Sequence, residues 1–188
     1  FPYTTLFRSD SLAIKGAHCS DIIISSIEHD AVFSAAPGSV KVAVNQDGVI
    51  ILSDLEKALS RVEGTCLVSI MWANNETGAI QPIEEIVAIA SKYGAQVHAD
   101  AIQALGKIPI NFRDSGLSMM SISAHKIGGP SGVGALVVAD GIKLKPFLVG
   151  GGQEKGRRSG TENIVGIVGF GAAAEVLLNN ASEPDEVC

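Results

Sequence analysis

The chain has 188 residues, of which 46% are hydrophobic and 18% charged, so it holds enough apolar material for one folded domain. Its 14 lysines and arginines against 20 aspartates and glutamates leave a net charge of −6, which argues against a nucleic-acid binder that neutralises phosphates broadly. No stretch of about 20 residues is apolar enough to span a bilayer. We therefore expect small molecules or proteins as partners, with no nucleic acid and no membrane.

The two ends of the chain differ in character from the rest. Residues 1–9, FPYTTLFRS, look like the in-frame translation of a sequencing-adapter oligonucleotide, and they join abruptly to a periodic segment that begins SDSLAIKGA. We predict that residues 1–9 are not native, the alternative being an ordinary short N-terminal strand, and that residues 10–188 form the folded unit. The last residues, ASEPDEVC, follow a long helical pattern directly, which indicates a second truncation.

From residue 20 onward, short β-branched runs alternate with amphipathic stretches, a pattern typical of an α/β fold with a mostly parallel sheet and helices on both faces. The predicted strands are Ile22–Ser26, Val40–Val44, Cys66–Met71, Gln96–Ala99, Leu117–Ser121 and Gly134–Val138. A capping box at Ser53 predicts the start of one helix, and Pro82 with Gly94 brackets a second. Thr161 is predicted to cap a long helix that is apolar on almost every side and must therefore be buried.

Polar residues follow three of the predicted strands, and open α/β sheets bind ligands beyond the carboxyl ends of their strands. Taken singly, each feature has a simple structural interpretation: a turn for the loop 73–78, a helix cap for Asp100 and a solvated surface charge for Lys126. Taken together, they match pyridoxal phosphate, which requires a lysine for covalent attachment, an acid at its pyridine nitrogen and donors around its phosphate. Lys126, Asp100, and Ser123 with His125 supply those residue types.

Six stretches carry a resemblance to a known family: SDSLAIKGA, EHDAV, LVSIMWANNETGAIQPI, HADAIQALGKIPI, SAHKIGGPSGVGAL and GGGQEKGRRSGTEN. On these stretches the chain resembles the cysteine desulfurases, pyridoxal-phosphate enzymes of the class V aminotransferase family that mobilise sulfur for iron–sulfur clusters. The resemblance implies an aminotransferase-like fold of type I. Residues 10–188 would then be its pyridoxal-phosphate-binding large domain, incomplete and without the C-terminal small domain.

The resemblance also implies catalytic roles for Lys126 and His29 and a cofactor-binding role for Asp100. Lys126 would carry the cofactor covalently and take the Cα proton of the substrate. His29, from EHDAV, would stack on the face of the cofactor ring. Asp100 would face the pyridine nitrogen and keep it protonated.

Five further residues receive binding roles from the resemblance. Gln103 and Asn75 would bond the cofactor's phenolic oxygen or the substrate, and Ser123 and His125 would bind the phosphate. Thr161 would reach the phosphate of the neighbouring subunit's cofactor, which implies a homodimer. No metal site is expected, because the adjacent His18 and Cys19 lack companions at ligand spacing.

The implied reaction converts L-cysteine to L-alanine and transfers sulfur to an enzyme cysteine as a persulfide, for a sulfur-acceptor or scaffold protein. None of Cys19, Cys66 and Cys188 lies in a matching motif, so we expect this fragment to be inactive in desulfuration. Their odd number and the lack of a CxxC pair favour a reducing compartment, the cytoplasm. Two alternatives remain open: another class V enzyme such as a selenocysteine lyase or an aminotransferase, and a non-catalytic or poorly folded fragment.

Overall fold

The computed structural model describes residues 3–4, 6–146 and 148–181. Within these ranges seven strands are formed: β1 (Tyr3–Thr4), β2 (Asp21–Ser25), β3 (Val40–Val42), β4 (Cys66–Met71), β5 (Gln96–Asp100), β6 (Met119–Ser123) and β7 (Gly134–Val138). The same described residues contain five α-helices: α1 (Leu6–Gly16), α2 (Asp30–Ala35), α3 (Leu52–Leu59), α4 (Ile83–Lys92) and α5 (Ile164–Ala181). Short 3₁₀ turns occupy Ala124–Ile127 and Glu154–Gly156.

The strands form one sheet in the order β1-β7-β6-β5-β4-β2-β3. Strands β2 to β6 are parallel to one another, whereas β7 is antiparallel to β6 and β1 is antiparallel to β7. All six residues of the central strand β4, CLVSIM, are buried, as expected for a parallel strand covered on both faces. The predicted α/β class with a mostly parallel sheet is confirmed.

Helices cover both faces of the sheet, and each face has its own apolar core. On one face, Leu55 of α3 and Ile86 of α4 pack with Val68 and Ile70 of β4. On the other face, α1 and α2 pack with Leu67 of β4, Met119 of β6 and Leu136 of β7. Successive residues of β4 thus face opposite cores, the two-residue period of a strand.

The strand predictions hold with small shifts in their bounds. β4 and β7 have the predicted ends, and β5 extends by one residue to include Asp100. The predicted Leu117–Ser121 strand is displaced by two residues, because Gly116 still lies in a turn at φ +73° and pairing with β5 starts at Met119. The displacement brings Ser123 into the end of β6 instead of the following loop.

Two of the predicted helix starts are wrong. Helix α3 begins at Leu52, one residue before Ser53, and its N-cap residue Ile51 has no side-chain capping bond. Helix α5 begins at Ile164, and the side chain that caps it belongs to Asn163, whose Oδ1 accepts a hydrogen bond from the amide of Gly166 at 3.1 Å. Thr161 and Asn163 are both suitable N-cap residues, and the backbone starts the helix directly after Asn163.

The helix that Pro82 and Gly94 were predicted to bracket is present as α4. Pro82 is the N-cap residue and not the first helical residue, whereas Gly94 follows the helix at φ +66°, as predicted. Helix α5 is less buried than its composition predicts, because Val165, Val168 and Leu178 are exposed.

Residues 3–4 and 6–9 of the adapter-like segment take part in the fold. Tyr3 and Thr4 pair with Ala135 and Gly134 of β7, and α1 begins at Leu6. This pairing does not test the origin of residues 1–9, which stays a prediction. Residues 182–188 of the predicted C-terminal truncation lie outside the described residues. Among the helices of the described ranges, none is long and apolar enough to cross a membrane.

Candidate functional site

The carboxyl ends of β2, β4, β5 and β6 meet at one edge of the sheet, and a cavity of about 130 Å³ lies there. Because these four strands are parallel, the residues that follow them come together although they are far apart in sequence. The cavity is lined by Asp10, His29, Met71, Ala73, Asn75, Asp100, Ile102, Gln103, His125 and Lys126. Six of the eight predicted site residues are in this set.

Asp100 ends β5 as a buried carboxyl group in the cavity wall. Its Oδ1 accepts a hydrogen bond from the amide of Ile102 at 3.0 Å. Burial raises the pKa of Asp100 to about 6, and both that amide and His29 oppose the rise. No lysine or arginine of the described residues forms an ion pair with Asp100. The wall therefore offers a desolvated acid whose charged form a cation in the cavity would stabilise.

Lys126 reaches the same cavity from the 3₁₀ turn Ala124–Ile127, which directly follows β6. The turn ends at Gly128, whose φ of +83° suits a residue without a side chain. Ser123 is buried at the end of β6, and its Oγ lies 2.9 Å from Nδ1 of His125. Strand and turn together bring a hydroxyl, an imidazole and an amine to the end of one strand.

His29 is held by the helix that it precedes. It is the N-cap residue of α2, and its Nδ1 accepts a hydrogen bond from the amide of Ala31 at 3.0 Å. In the neutral imidazole the proton is therefore on Nε2. The cap restrains the orientation of the ring at the cavity wall, which suits a residue that contacts a planar ligand.

The two adjacent asparagines of the ANNETG loop have different surroundings. Asn74 is buried and shapes the loop: its Oδ1 accepts from the amides of Glu76 and Thr77, and its Nδ2 donates to the carbonyl of Ile27. Asn75 is exposed and lines the cavity. Together with His29 it also borders a second cavity of about 300 Å³. Asn75, which is predicted to bind a ligand, is thus not the asparagine that holds the loop in shape.

The last two predicted residues contribute differently. Gln103 lines the cavity, and its Oε1 accepts a hydrogen bond from Nζ of Lys107. Thr161 is exposed and does not line the cavity of its own chain. The binding and catalytic roles of all eight residues stay predictions, and that of Thr161 additionally needs a second subunit.

Sequence reasoning gave no functional role to three buried polar residues in or behind the cavity wall. Asp10 is in the cavity wall, Glu28 precedes His29, and His98 lies in β5 two residues before Asp100. The sequence marks Asp10 and Glu28 only as parts of SDSLAIKGA and EHDAV. His98 is fully buried, and burial lowers its pKa to about 3, so it is neutral.

Glu28 ties the loop that carries His29 to the end of β4. Its Oε1 accepts hydrogen bonds from Ser25 Oγ at 2.6 Å and from the amide of Met71 at 2.9 Å. Its Oε2 is buried and has no hydrogen-bond partner among the described residues. Burial raises the pKa of Glu28 to about 8, although the two hydrogen bonds oppose the shift.

This shift predicts a pH-dependent stability that Glu28→Gln removes. The folded-state pKa is above the unfolded one, so the unfolded chain binds fewer protons between pH 4.5 and about 8, and Glu28 makes stability fall as pH rises through this window. A glutamine keeps the acceptor Oε1 but does not ionise. We expect the unfolding free energy of Glu28→Gln, measured with urea, to fall less steeply across the window. The exposed Glu63→Gln is the matched control, and parallel profiles for all three proteins would contradict the prediction.

Comparison with known proteins places the chain in a family. Residues 11–185 match the family model for class-V aminotransferases. The chain belongs to the class-V aminotransferase family. It is 44% identical over 189 residues to a cysteine desulfurase from Gluconacetobacter diazotrophicus, a match that covers 94% of this chain and 47% of that protein.

Solved structures of similar proteins agree with this placement. A NifS-like protein from Rickettsia africae matches with a TM-score of 0.90 and 40% identity, over 96% of this chain and 52% of that chain. The structure of SspA in complex with cysteine matches with a TM-score of 0.84 and 36% identity, over 92% and 54% of the two chains. The resemblance to cysteine desulfurases and the aminotransferase-like fold are thereby confirmed. This class-V chain spans about half the length of the relatives that it matches.

Proposed function

We propose that the chain is the pyridoxal-phosphate-binding part of a cysteine desulfurase, which converts L-cysteine to L-alanine and transfers the sulfur to an enzyme thiol. The observation that carries the proposal is the convergence of Lys126, Asp100, His29, Asn75 and Gln103 on one cavity. The similarity to cysteine desulfurases and to a structure with bound cysteine supports the choice of substrate.

The cavity fits the proposed cofactor on two independent grounds. The buried Asp100 forms no ion pair with a lysine or arginine of the described residues, and a protonated pyridine nitrogen would supply a positive charge beside it. Lys126 provides the amine that the cofactor's carbonyl group requires, in the same cavity. Ser123 and His125 would hold the phosphate, and His29 would cover the ring face.

In the proposed reaction the bound cofactor supplies an electron sink for the bonds at the substrate Cα. Lys126 Nζ, when neutral, is the base that takes the proton from Cα. Asp100 holds a proton on the ring nitrogen through its negative charge. His29, restrained through Nδ1 by the amide of Ala31, would cover the ring face and limit the access of water to it.

The sulfur-accepting thiol is a separate requirement. Burial raises the pKa of Cys66 to about 12 and also raises the pKa of Cys19, so neither is a ready thiolate. Neither lines the cavity, and Cys188 lies outside the described residues. We therefore propose that neither Cys19 nor Cys66 accepts the sulfur and that this chain alone does not desulfurate cysteine.

Three further parts of the proposal concern the setting of the enzyme. Thr161, exposed and outside its own cavity, would reach the cofactor phosphate of a second subunit in a homodimer. The sulfur would pass to an acceptor or scaffold protein for iron–sulfur cluster assembly. Cys19 and Cys66 are free thiols, which suits the reducing cytoplasm.

A titration with pyridoxal phosphate followed by addition of L-cysteine tests the proposal. We expect saturable binding seen as a change in cofactor absorbance, and no persulfide on Cys19 or Cys66 by mass spectrometry. Absence of cofactor binding by the folded chain would contradict the proposed function. Alanine formation with stoichiometric persulfide on either cysteine would contradict the assignment of the thiol to another residue.

A further inference from the structure

A second carboxyl group, that of Asp10, lies in the wall of the cavity with Asp100. Asp10 is in α1, its residue is only 1% exposed, and it lines the same cavity as Asp100 and Lys126. Its Oδ1 has no hydrogen-bond partner among the described residues and lies 3.8 Å from His98 Nε2. A buried oxygen without a donor is costly when it carries a negative charge.

A chain of buried side chains leads from Asp10 into the sheet. The Ser121 hydroxyl is its side-chain hydrogen-bond partner. Ser121 Oγ lies 2.9 Å from His98 Nε2, and His98 Nδ1 lies 2.8 Å from Ser69 Oγ. Both serines and the histidine are buried, so each polar hydrogen in the chain needs an acceptor within it or in the backbone.

The surroundings of Asp10 and Asp100 differ, and the difference determines which of the two acids ionises first as the pH rises. Asp100 Oδ1 accepts a backbone hydrogen bond, which stabilises its charged form. The Ser121 hydroxyl also stabilises the charged form of Asp10, but the buried Asp10 Oδ1 has no donor among the described residues. Two carboxylates in one desolvated wall repel each other, so one of them keeps its proton more readily. The buried Oδ1 without a donor assigns that proton to Asp10.

The other titratable groups around Asp10 do not reverse this order. His98 on β5 is neutral, and Glu28, behind the cavity, adds a further acid. His29, His125 and Lys126 line the cavity, but the described residues contain no lysine or arginine in an ion pair with Asp10. Burial and the charge of Asp100 accordingly raise the pKa of Asp10 well above its usual range, although the hydrogen bond with Ser121 opposes the rise.

We propose that Asp10 is a positioning residue of the cavity that keeps its proton while Asp100 ionises, so that the wall carries a single negative charge. Asp10 then donates to Ser121 Oγ, Ser121 donates to His98 Nε2, and His98 holds its own proton on Nδ1, toward Ser69. The match between this single negative charge and the single pyridine nitrogen of pyridoxal phosphate rests on the proposed function. The order of the two protons does not, since it is a property of the chain without cofactor.

Carboxyl-carbon NMR of aspartate-labelled chain, titrated with pH in the absence of cofactor, tests the order of the protons. Asp10→Asn is expected to remove the later titration and to leave the Asp100 midpoint nearly where it was, because Asp10 is already neutral when Asp100 ionises. Asp100→Asn is expected to lower the Asp10 midpoint by about one pH unit or more, because it removes a neighbouring charge. The exposed Asp54→Asn is the control and is expected to move neither midpoint.

The reverse pattern would overturn the proposal: a lower Asp100 midpoint in Asp10→Asn shows that Asp10 ionises first. Imidazole-nitrogen NMR of the unsubstituted chain gives a second measurement that needs no variant to fold. We expect the His98 proton on Nδ1 at neutral pH, and a proton on Nε2 contradicts the proposed direction of the chain. Pyridoxal phosphate is added afterwards, so a failure to bind it counts against the proposed function and leaves the proton order standing.

Discussion

Lys126→Ala is expected to abolish covalent attachment of pyridoxal phosphate to the chain. Lys126 is the lysine that lines the cavity, at the end of the 3₁₀ turn that follows β6, whereas a surface lysine would react with the cofactor only weakly and without selectivity. After incubation with the cofactor and reduction with borohydride, mass spectrometry should find the added mass on the peptide that contains Lys126. In Lys126→Ala we expect that peptide-specific mass to be lost completely.

Two further variants separate the chemistry of this lysine from its charge and from the fold. Lys126→Arg keeps a positive charge but offers no primary amine, so we expect the same loss of covalent attachment. Lys92→Ala removes an exposed lysine of α4 that pairs with Glu56, and attachment is expected to be unchanged. Far-ultraviolet circular dichroism should be alike for all the proteins. Full labelling of another lysine in Lys126→Ala would refute the assignment.

The positions of the strands and the meeting of the site residues were predictable from sequence for a physical reason. Fully buried parallel strands are short apolar runs, and β4, with six buried residues in CLVSIM, is the clearest of them. Once the strands are parallel, Asn75, Asp100 and Lys126 must meet, because each lies at or just beyond the carboxyl end of a strand in the same sheet.

Features that depend on contacts between distant segments were not predictable in the same way. Asp10 is next to Asp100 only because α1 packs across the sheet on β5 and β6, ninety residues away in sequence. The role of Glu28 depends on the amide of Met71, which no local pattern reveals. The cap of α5 was misplaced for a local reason: Thr161 and Asn163 are both suitable residues, and the backbone chooses between them.

Asp100→Asn is expected to weaken the binding of pyridoxal phosphate and to stabilise the chain without cofactor. Asparagine cannot supply the negative charge that would face a protonated ring nitrogen. Because a hydrogen bond to a charged group contributes about 1.5–3 kcal/mol, we expect the affinity for pyridoxal phosphate to fall about 10-fold to 100-fold. The cofactor-free protein should gain stability, because burial raises the pKa of Asp100 to about 6. Because the pKa of Asp100 is higher in the folded chain than in the unfolded chain, this carboxyl group makes stability fall as the pH rises from the usual aspartate range to about 6. Asparagine does not ionise and therefore does not cause this fall.

The opposite signs of these two effects distinguish a ligand-binding acid from a structural one. An aspartate whose role is to hold the fold would cost stability when replaced, because the amide of Ile102 would lose its charged acceptor. Affinity is measured by absorbance titration above pH 7, and stability by urea unfolding of the cofactor-free chain at the same pH. Asp54→Asn, an exposed change in α3, is the control for both measurements. If Asp100→Asn binds the cofactor as tightly as the unsubstituted chain, Asp100 does not face the ring nitrogen. If it instead lowers both affinity and stability, the loss of binding follows from damage to the fold.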